Sequence, residues 1–429
     1  MEKITRDNFY PQISYSLLLM AAVTVPWSRF LMLPIAILLL VLFVADNRYR
    51  IHFQTIRESK LLFPFFATLS LFLLSLIGAA YSDNVAKAIS DWECKLCFLA
   101  APVCLLPLCG KIPLKQMRML LVAFVLSVTA TAIGNFVISA VSFVRTGETT
   151  QFFYMHATHF FGEKATHPSY LSMYCATAWI LSVILLINRK LSLPKTIRIL
   201  LVSALVILPA EIILLQSKAG ILLFVLVFPC VLVYAVRKKA LPLWAGIAAA
   251  VGCIVLGGVG ASGKIGTMNR LTDMQQQLRA DEMENPYNGT LQRVVVWQTS
   301  CEVAGDNLPF GTGTGDVTDE LCRRYEAKGY TYILDKRLNC HNQYLQHLVG
   351  LGIPGLLALL LFIGYPIVEG IRKKDFLLAM WGLIMAGNLL VESMLETRAG
   401  SNFIPLNTLL LILYQRIRPS EEAPLPNNR

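Results

Sequence analysis

Three side chains in the second half of the sequence could act together on a phosphate ester and a hydroxyl group. His341 opens the stretch His341–Val349, which has the composition of a short surface helix. The positive end of a helix dipole would favour the neutral imidazole that a general base requires. Arg293 offers a planar guanidinium suited to phosphate, and Lys218 offers a second cation. Together they would provide one base and two positive charges.

Each of these residues also has a structural explanation when it is taken alone. Arg293 and Trp297 are four residues apart, so they would share one face of an amphipathic surface helix with an aromatic anchor. Lys218 stands between two apolar runs, where an ammonium can extend to lipid headgroups. His341 could cap a helix or lie at an interface. The functional hypothesis depends on the three meeting in space.

The composition predicts a polytopic membrane protein in which these residues are held by helices. Of 429 residues, 55% are hydrophobic and only 15% are charged, whereas a soluble domain carries about 25% charged residues. The apolar runs have the length that crosses a hydrocarbon core. We predict an all-α bundle of about twelve transmembrane helices, with spans near 11–28, 29–46, 61–81, 93–109, 117–143, 168–188, 197–215, 219–236, 241–261, 352–371, 375–391 and 400–417.

The distribution of basic residues predicts the orientation of this bundle. With the N-terminus inside, the inward segments hold about 22 Lys and Arg and the short outward loops about 7, as expected from the positive-inside rule. Both termini should then be cytoplasmic, and one large loop, 262–341, should lie outside. The net charge of +11 follows from this topology, and no basic soluble face favours nucleic acid.

The outer loop contains Cys301, Cys322 and Cys340, and one disulfide among them is plausible in an oxidising compartment. The pairing cannot be chosen from sequence. Cys94 and Cys97 form a C-x-x-C without a second pair at metal-ligand spacing, which disfavours zinc or redox roles.

Histidines and acids near the outer side leave further alternatives open. His156, His159 and His167 could form a three-histidine metal site, although aromatic-rich interface packing explains them better. Glu211 and Glu392 are acids within or beside apolar segments, where an acid is functional by default, and they keep a transporter in consideration.

In the region of these residues the sequence resembles the O-antigen ligase family, within the wider group of O-antigen polymerases and bacterial protein O-oligosaccharyltransferases. The resemblance rests on His341-Asn342, nine residues, Gly352, two residues and Gly355. Arg293-x-x-x-Trp297 and the Gly311–Asp316 turn strengthen it. Ser217-Lys218-x-Gly220 is similar to the family's S-R-x-G but has Lys in place of Arg, which keeps the charge and loses the bidentate geometry.

The resemblance implies a fold, a reaction and a set of site residues. The fold would be a glycosyltransferase-C-like helical bundle in the bacterial inner membrane, with its active site facing the periplasm. The reaction would transfer a glycan from undecaprenyl diphosphate to lipid A–core or another glycan acceptor, by inverting displacement without metal or cofactor. His341 would be the base, and Arg293 and Lys218 would stabilise the diphosphate. Further substrate-binding positions would be Asn342, Trp297, Gly313, Gly315, His167 and Glu211.

We therefore divide the chain into a bundle of helices 1–9 (1–261), a large periplasmic loop with catalytic motifs (262–341), and a surface helix with helices 10–12 and a cytoplasmic tail (342–429). The alternatives within the superfamily are a polysaccharide polymerase and a protein O-oligosaccharyltransferase. A metal-dependent transferase would need an outer acidic pair, for which Asp91-x-Glu93 is the candidate. A transporter is the more distant alternative, because its polar groups would be expected at the membrane midplane.

Overall fold

The apolar runs form helices in the computed structural model, which describes residues 6–28, 30–154, 158, 166–188, 193–242, 244 and 289–422. Within these ranges the chain is all-helical, with no strand. The helices are α1 (Arg6–Thr24), α2 (Met32–Asp46), α3 (Tyr49–Glu58), α4 (Leu62–Ala79), α5 (Val85–Lys95), α6 (Cys97–Leu105), α7 (Leu114–Thr146), α8 (Pro168–Ile187), α9 (Lys195–Leu214), α10 (Lys218–Arg237), α11 (Gly289–Asp306), α12 (Val317–Ala327), α13 (Thr331–Asp335), α14 (Gln343–Arg372), α15 (Phe376–Val391) and α16 (Arg398–Glu422).

Among the described residues, six helices are long and apolar enough to cross a membrane: α4, α7, α8, α9, α10 and α14. The α2–α3 pair becomes a seventh candidate if its 108° bend is counted within one span. α15 is apolar but shorter, and the remaining predicted spans fall on helices that are shorter or more polar. Of the predicted span 241–261, only residues 241, 242 and 244 are among the described ones. The chain is thus a helical membrane protein, while the count of twelve spans stays a prediction.

Helix α8 is the most enclosed of the six candidate spans, with 83% of its apolar window buried inside the protein. It packs against α7, α9, α10 and α15. Tyr174 in its middle donates a hydrogen bond to the carbonyl oxygen of Ala399 at 2.8 Å. Because α8 is surrounded by protein, its first residues are held in a fixed position at one end of the bundle. We call this end the loop end; it carries His167, Lys218 and residues 392–396.

Helices α11, α12 and α13 form a small second core at the loop end. Val296, Leu321, Tyr325 and Ile333 are buried there, together with Val349 from α14. Asp316, the last residue of the Gly-rich turn 311–316 before α12, joins this turn to the α4–α5 connection. Its carboxylate accepts hydrogen bonds from the backbone N–H groups of Asp83 at 2.8 Å and Asn84 at 2.7 Å. The helix predicted to carry Arg293 and Trp297 is α11, and it lies on the bundle.

A sharp kink at Gly352 divides α14 into a short first part and a long membrane part. Gly352 has φ 61° and ψ −150°, a combination that is open in practice only to glycine. The next backbone N–H, from Ile353, donates to the carbonyl oxygen of Pro309 at 2.9 Å. The carbonyl oxygen of Val349, which a regular helix would have given to Ile353, accepts from Thr312 N–H at 2.8 Å. The kink and the Gly-rich turn thus satisfy each other's backbone groups.

We expect Gly352→Ala to destabilise the protein strongly. A Cβ at this position would lie 1.9 Å from the carbonyl oxygen of Pro309, and the backbone conformation alone costs a non-glycine residue about 1–3 kcal/mol. The measurement is the thermal unfolding midpoint of the purified protein in detergent. Gly364→Ala on the same helix is the matched control, because a Cβ there meets no atom within 4 Å and alanine favours helix. Equal midpoints for the two variants would show that the kink does not depend on glycine.

Candidate functional site

Three consecutive residues at the start of α14 bind the segment that follows α15. His341 Nδ1 lies 3.0 Å from Glu392 Oε1, and the N–H of Asn342 donates to Ser393 Oγ at 3.1 Å. Gln343 accepts from the N–H of Leu395 at 2.6 Å and donates through Nε2 to the carboxylate of Glu396 at 2.9 Å. This row of contacts fixes the imidazole relative to the bundle.

The contact with Glu392 determines which nitrogen of His341 carries the proton. An ionised carboxylate only accepts hydrogen bonds, so Nδ1 must be the donor. In the neutral imidazole, Nε2 is then left with its lone pair. The His341 side chain is 26% exposed, whereas that of Glu392 is 12% exposed. A solvent-accessible imidazole with a buried carboxylate behind it has the arrangement of a general base with an orienting partner.

Glu392 is held in its ionised form by the charges around it. Burial by itself raises the pKa of a carboxyl group, but here the hydrogen bond from His341 and the electrostatic influence of His341, Arg293 and His167 outweigh it. The pKa of Glu392 therefore lies below its ordinary value. Because the carboxylate remains charged at neutral pH, it remains an acceptor for the hydrogen bond from His341 Nδ1.

Arg293 reaches the same carboxylate from α11. Its Nη2 atom lies 3.6 Å from Glu392 Oε2, a distance that makes an ion pair rather than a hydrogen bond. The Nε–H of Arg293 is buried and has no hydrogen-bond acceptor within the described ranges. A buried donor without an acceptor is unfavourable, so this group is suited to an anionic oxygen brought by a substrate.

Trp297 lies one helical turn after Arg293 and faces the same way. Its Nε1–H donates to the carbonyl oxygen of His341 at 3.3 Å. The prediction that Arg293 and Trp297 share one face of a helix is confirmed. This hydrogen bond joins the indole to the backbone of His341, so Trp297 supports the position of the imidazole.

His167 interacts electrostatically with this group from the bundle, and Lys218 lies at the same end of the bundle. His167 is the N-cap of α8, where its Nδ1 accepts from the N–H of Ser169 at 3.3 Å. Burial lowers the pKa of His167; the charge of Glu392 opposes this effect, and those of Arg293 and His341 add to it. Lys218 is the first residue of α10, and its neighbour Ser217 lies 3.5 Å from Ser169, measured between the hydroxyl oxygens. Lys218 is half-buried at the same end of the bundle.

The structure corrects the predicted position of His341 on the helix. It was expected in the first turn, but Asn342 is the N-cap, with its Oδ1 accepting from the N–H groups of Tyr344 at 2.9 Å and Leu345 at 3.1 Å. His341 therefore precedes the helix and has φ 43°, in the left-handed region. Its environment is set by Glu392 and not by the helix dipole. The side-chain oxygen of Asn342, a predicted substrate-binding residue, is engaged in the cap.

The predicted glycines of the turn lie against backbone and small side chains. A Cβ on Gly313, which has φ 102°, would lie 2.4 Å from Ser82 Oγ, and a Cβ on Gly315 would lie 2.2 Å from the carbonyl oxygen of Asn84. Both glycines thus let the turn approach the end of α4. Glu211, a predicted substrate-binding position, has its carboxylate buried against α7, where it accepts from Asn135 Nδ2 at 2.8 Å.

The expected disulfide is not formed. Cys301, Cys322 and Cys340 all have free thiols; Cys301 is exposed on α11, and the other two are buried within the small second core. Cys94 and Cys97 are also free. Of the three histidines considered as a metal site, His156 and His159 lie outside the described residues.

Lys218, Arg293 and His341 lie within one stretch of sequence that can be compared with known families. Residues 203–360 match the O-antigen ligase family model. The resemblance deduced from the motifs is confirmed for this part of the chain. The match extends from α9 into α14 and supports a membrane-bound enzyme of the O-antigen ligase and polymerase group. A comparison with curated proteins gave no match.

Glu392 is the site residue that sequence reasoning did not place. It lies beyond the O-antigen ligase match and was noted only as an acid beside an apolar segment. The sequence signal for Glu392 was its position beside an apolar segment, because a carboxylate next to a membrane span needs a partner. The partner, His341, is 51 residues earlier in the chain, so the pair could be identified only after folding.

We expect Glu392→Gln to lower the turnover of the enzyme by about 10²-fold, because the amide neither fixes the proton on Nδ1 nor stabilises the imidazolium. The Michaelis constants for both substrates should stay within about twofold, since Glu392 would act through His341. Glu302→Gln is the matched control: Glu302 is an exposed partner of Lys328 on the same loop. A loss that appeared in the Michaelis constants instead would assign Glu392 to substrate binding.

The same variant should show a pH effect on stability. A carboxyl whose folded-state pKa is depressed stabilises the fold above its unfolded pKa of about 4.3, and this contribution is lost as pH falls through the folded value. The unfolding midpoint of the unmodified protein should therefore exceed that of Glu392→Gln at pH 7, and the difference should shrink on acidification. A constant difference between pH 7 and pH 3 would contradict an ionised Glu392.

Proposed function

We propose that this protein is an O-antigen ligase-type glycosyltransferase, which moves a glycan from undecaprenyl diphosphate to a sugar hydroxyl of lipid A–core. The observation that carries the proposal is the contact between His341 Nδ1 and the ionised Glu392, beside Arg293. This contact leaves Nε2 as a base next to a cation. The match of residues 203–360 to the O-antigen ligase family supports the same chemistry.

The base is needed because a sugar hydroxyl is a weak acid. In the proposed step, the acceptor oxygen forms a bond to the anomeric carbon of the donor glycan while His341 Nε2 takes the hydroxyl proton. The bond between that carbon and the diphosphate oxygen breaks with its electron pair, and the configuration inverts. A positioned base typically contributes about 10²–10⁴-fold to such a rate.

The leaving undecaprenyl diphosphate gathers negative charge and needs fixed cations in a poorly hydrated place. We assign this role to Arg293 and Lys218. Arg293 has a buried Nε–H with no acceptor inside the described part of the chain, and its Nη2 is held at 3.6 Å from Glu392. Lys218 begins α10, where the positive end of the helix dipole would add to its charge. His167 caps α8 within the electrostatic reach of Arg293.

The reaction would take place at the outer face of the bacterial inner membrane, because the distribution of Lys and Arg directs the loop end outward. The proposed chemistry is metal-independent. The rival acidic pair is already engaged: Asp91 bonds Lys87 at 2.5 Å, and Glu93 bonds Arg398 at 2.9 Å. These two carboxylates would have to leave their partners before they could hold an ion together.

We expect His341→Ala to reduce glycan transfer by at least about 10²-fold in proteoliposomes supplied with lipid-linked glycan and lipid A–core. Arg293→Gln should lose a similar factor, since one charge-stabilising group typically contributes about 10²–10³-fold, and Arg293→Lys should recover only part of it. His52→Gln is the control for folding, because it removes a comparable histidine–carboxylate pair outside the candidate site. His52 lies 2.8 Å from Asp46 in the α2–α3 region. Transfer should also survive EDTA.

Deletion of the gene in the native host distinguishes the members of the superfamily. Loss of all long glycan from lipid A, with accumulation of lipid-linked polymer, is the result expected for a ligase. Lipopolysaccharide reduced to single repeats would make the protein a polymerase. Unchanged lipopolysaccharide with unglycosylated periplasmic proteins would make it a protein transferase. EDTA-sensitive transfer that persists in His341→Ala would overturn the mechanism.

A further inference from the structure

A cavity of about 320 Å³ opens on the loop end next to His341. Its walls come from α5, from the Gly-rich turn and α12, and from the segment that leads into α14. The volume lies at the lower end of the range of about 300–1,000 Å³ found for small-molecule sites. The residues that carry the argument are Lys87, Asp91, Arg337, Asn339, His341 and Glu396.

The cavity lining carries balanced charges. Lys87 Nζ lies 2.5 Å from Asp91 Oδ1, and Arg337 pairs with Asp319 at its rim. The carboxylate of Glu396 accepts from Lys95 at 3.3 Å and from Gln343 at 2.9 Å. Because each charge already has a protein partner, a free anion or cation would have to displace one of them.

A neutral ligand with many hydroxyl groups would fit this lining better. A carboxylate has about four lone-pair positions, an ammonium has three donors and a guanidinium has five, so each paired group keeps capacity for a further hydrogen bond. Hydroxyl groups both donate and accept hydrogen bonds, so they can bind carboxylates as donors and cationic side chains as acceptors. A sugar ring presents such hydroxyls in several directions.

His341 connects this cavity with the Glu392–Arg293 group. It lines the cavity, and it is bonded to Glu392, which also pairs with Arg293. Neither Glu392 nor Arg293 lines the cavity. A ligand in the cavity and an anion at Arg293 would thus both lie close to the imidazole without sharing a binding surface.

We propose that this cavity binds the accepting sugar of the acceptor glycan, with Lys87, Asp91 and Arg337 as its polar contacts and His341 at its inner wall. The inference rests on the proposed transfer to a glycan hydroxyl. It divides the site into an acceptor side, formed by α5 and residues 337–341, and a donor side, formed by Arg293 and Lys218. Acceptor specificity is then set by α5 and the end of the large loop.

The test uses binding without transfer. The probe is the core oligosaccharide of the native host, released from lipid A by mild acid, and its affinity for the full-length protein in nanodiscs is measured by calorimetry. We expect Arg337→Gln and Lys87→Gln each to raise the dissociation constant about tenfold, as the loss of one hydrogen bond to a charged group would do. Arg324→Gln should leave it unchanged, because Arg324 also pairs with loop acids, Glu302 and Asp306, but does not line the cavity.

The outcomes separate this inference from the proposed function. Failure of the probe to bind the unmodified protein, or equal affinities for Arg337→Gln, Lys87→Gln and Arg324→Gln, would overturn the acceptor cavity even if transfer is observed. Binding that depends on Arg337 and Lys87, in a protein that transfers no glycan, would support the cavity and overturn the transferase. In the transfer assay, Arg337→Gln should raise the Michaelis constant of the acceptor about tenfold and leave that of the donor within about twofold.

Discussion

The site depends on a buried carboxylate that cannot stay charged without partners. Removing an ion from water costs several kcal/mol, so Glu392 needs both His341 and Arg293 to remain ionised. The carboxylate and its two partners come from three separate places in the chain: the end of α15, the segment before α14, and α11. One electrostatic requirement therefore joins the large loop to the bundle, and it fixes the imidazole, the guanidinium and the carboxylate relative to one another.

Close backbone approach is the second condition for this arrangement. The Gly-rich turn lies against the end of α4 because Gly313 and Gly315 have no side chains, and Asp316 closes the contact with two backbone hydrogen bonds. The carbonyls left open by the kink in α14 are used by the same turn. The glycines thus act by allowing close packing. The position of the Gly-rich turn also determines one wall of the cavity beside His341.

Sequence patterns identified the residues whose chemistry is local. Arg293 and Trp297 share a face of α11, as their spacing requires. The patterns failed where tertiary contacts decide. Asn342 is the N-cap, so His341 lies outside the first turn, and the cysteines of the loop form no disulfide. Glu392 acquires its role from a residue 51 positions away. Glu211 looked similar from its sequence position, yet it is buried against Asn135.

The two ends of the short first part of α14 are fixed by different means, Asn342 as the cap and Gly352 as the kink. Nine residues, 343–351, lie between them. Since each helical residue adds about 100° of rotation and 1.5 Å of rise, one inserted or deleted residue would turn His341 about a quarter-circle away from Glu392. The number of residues between the asparagine and the glycine is therefore a geometric quantity that sets the direction of the imidazole.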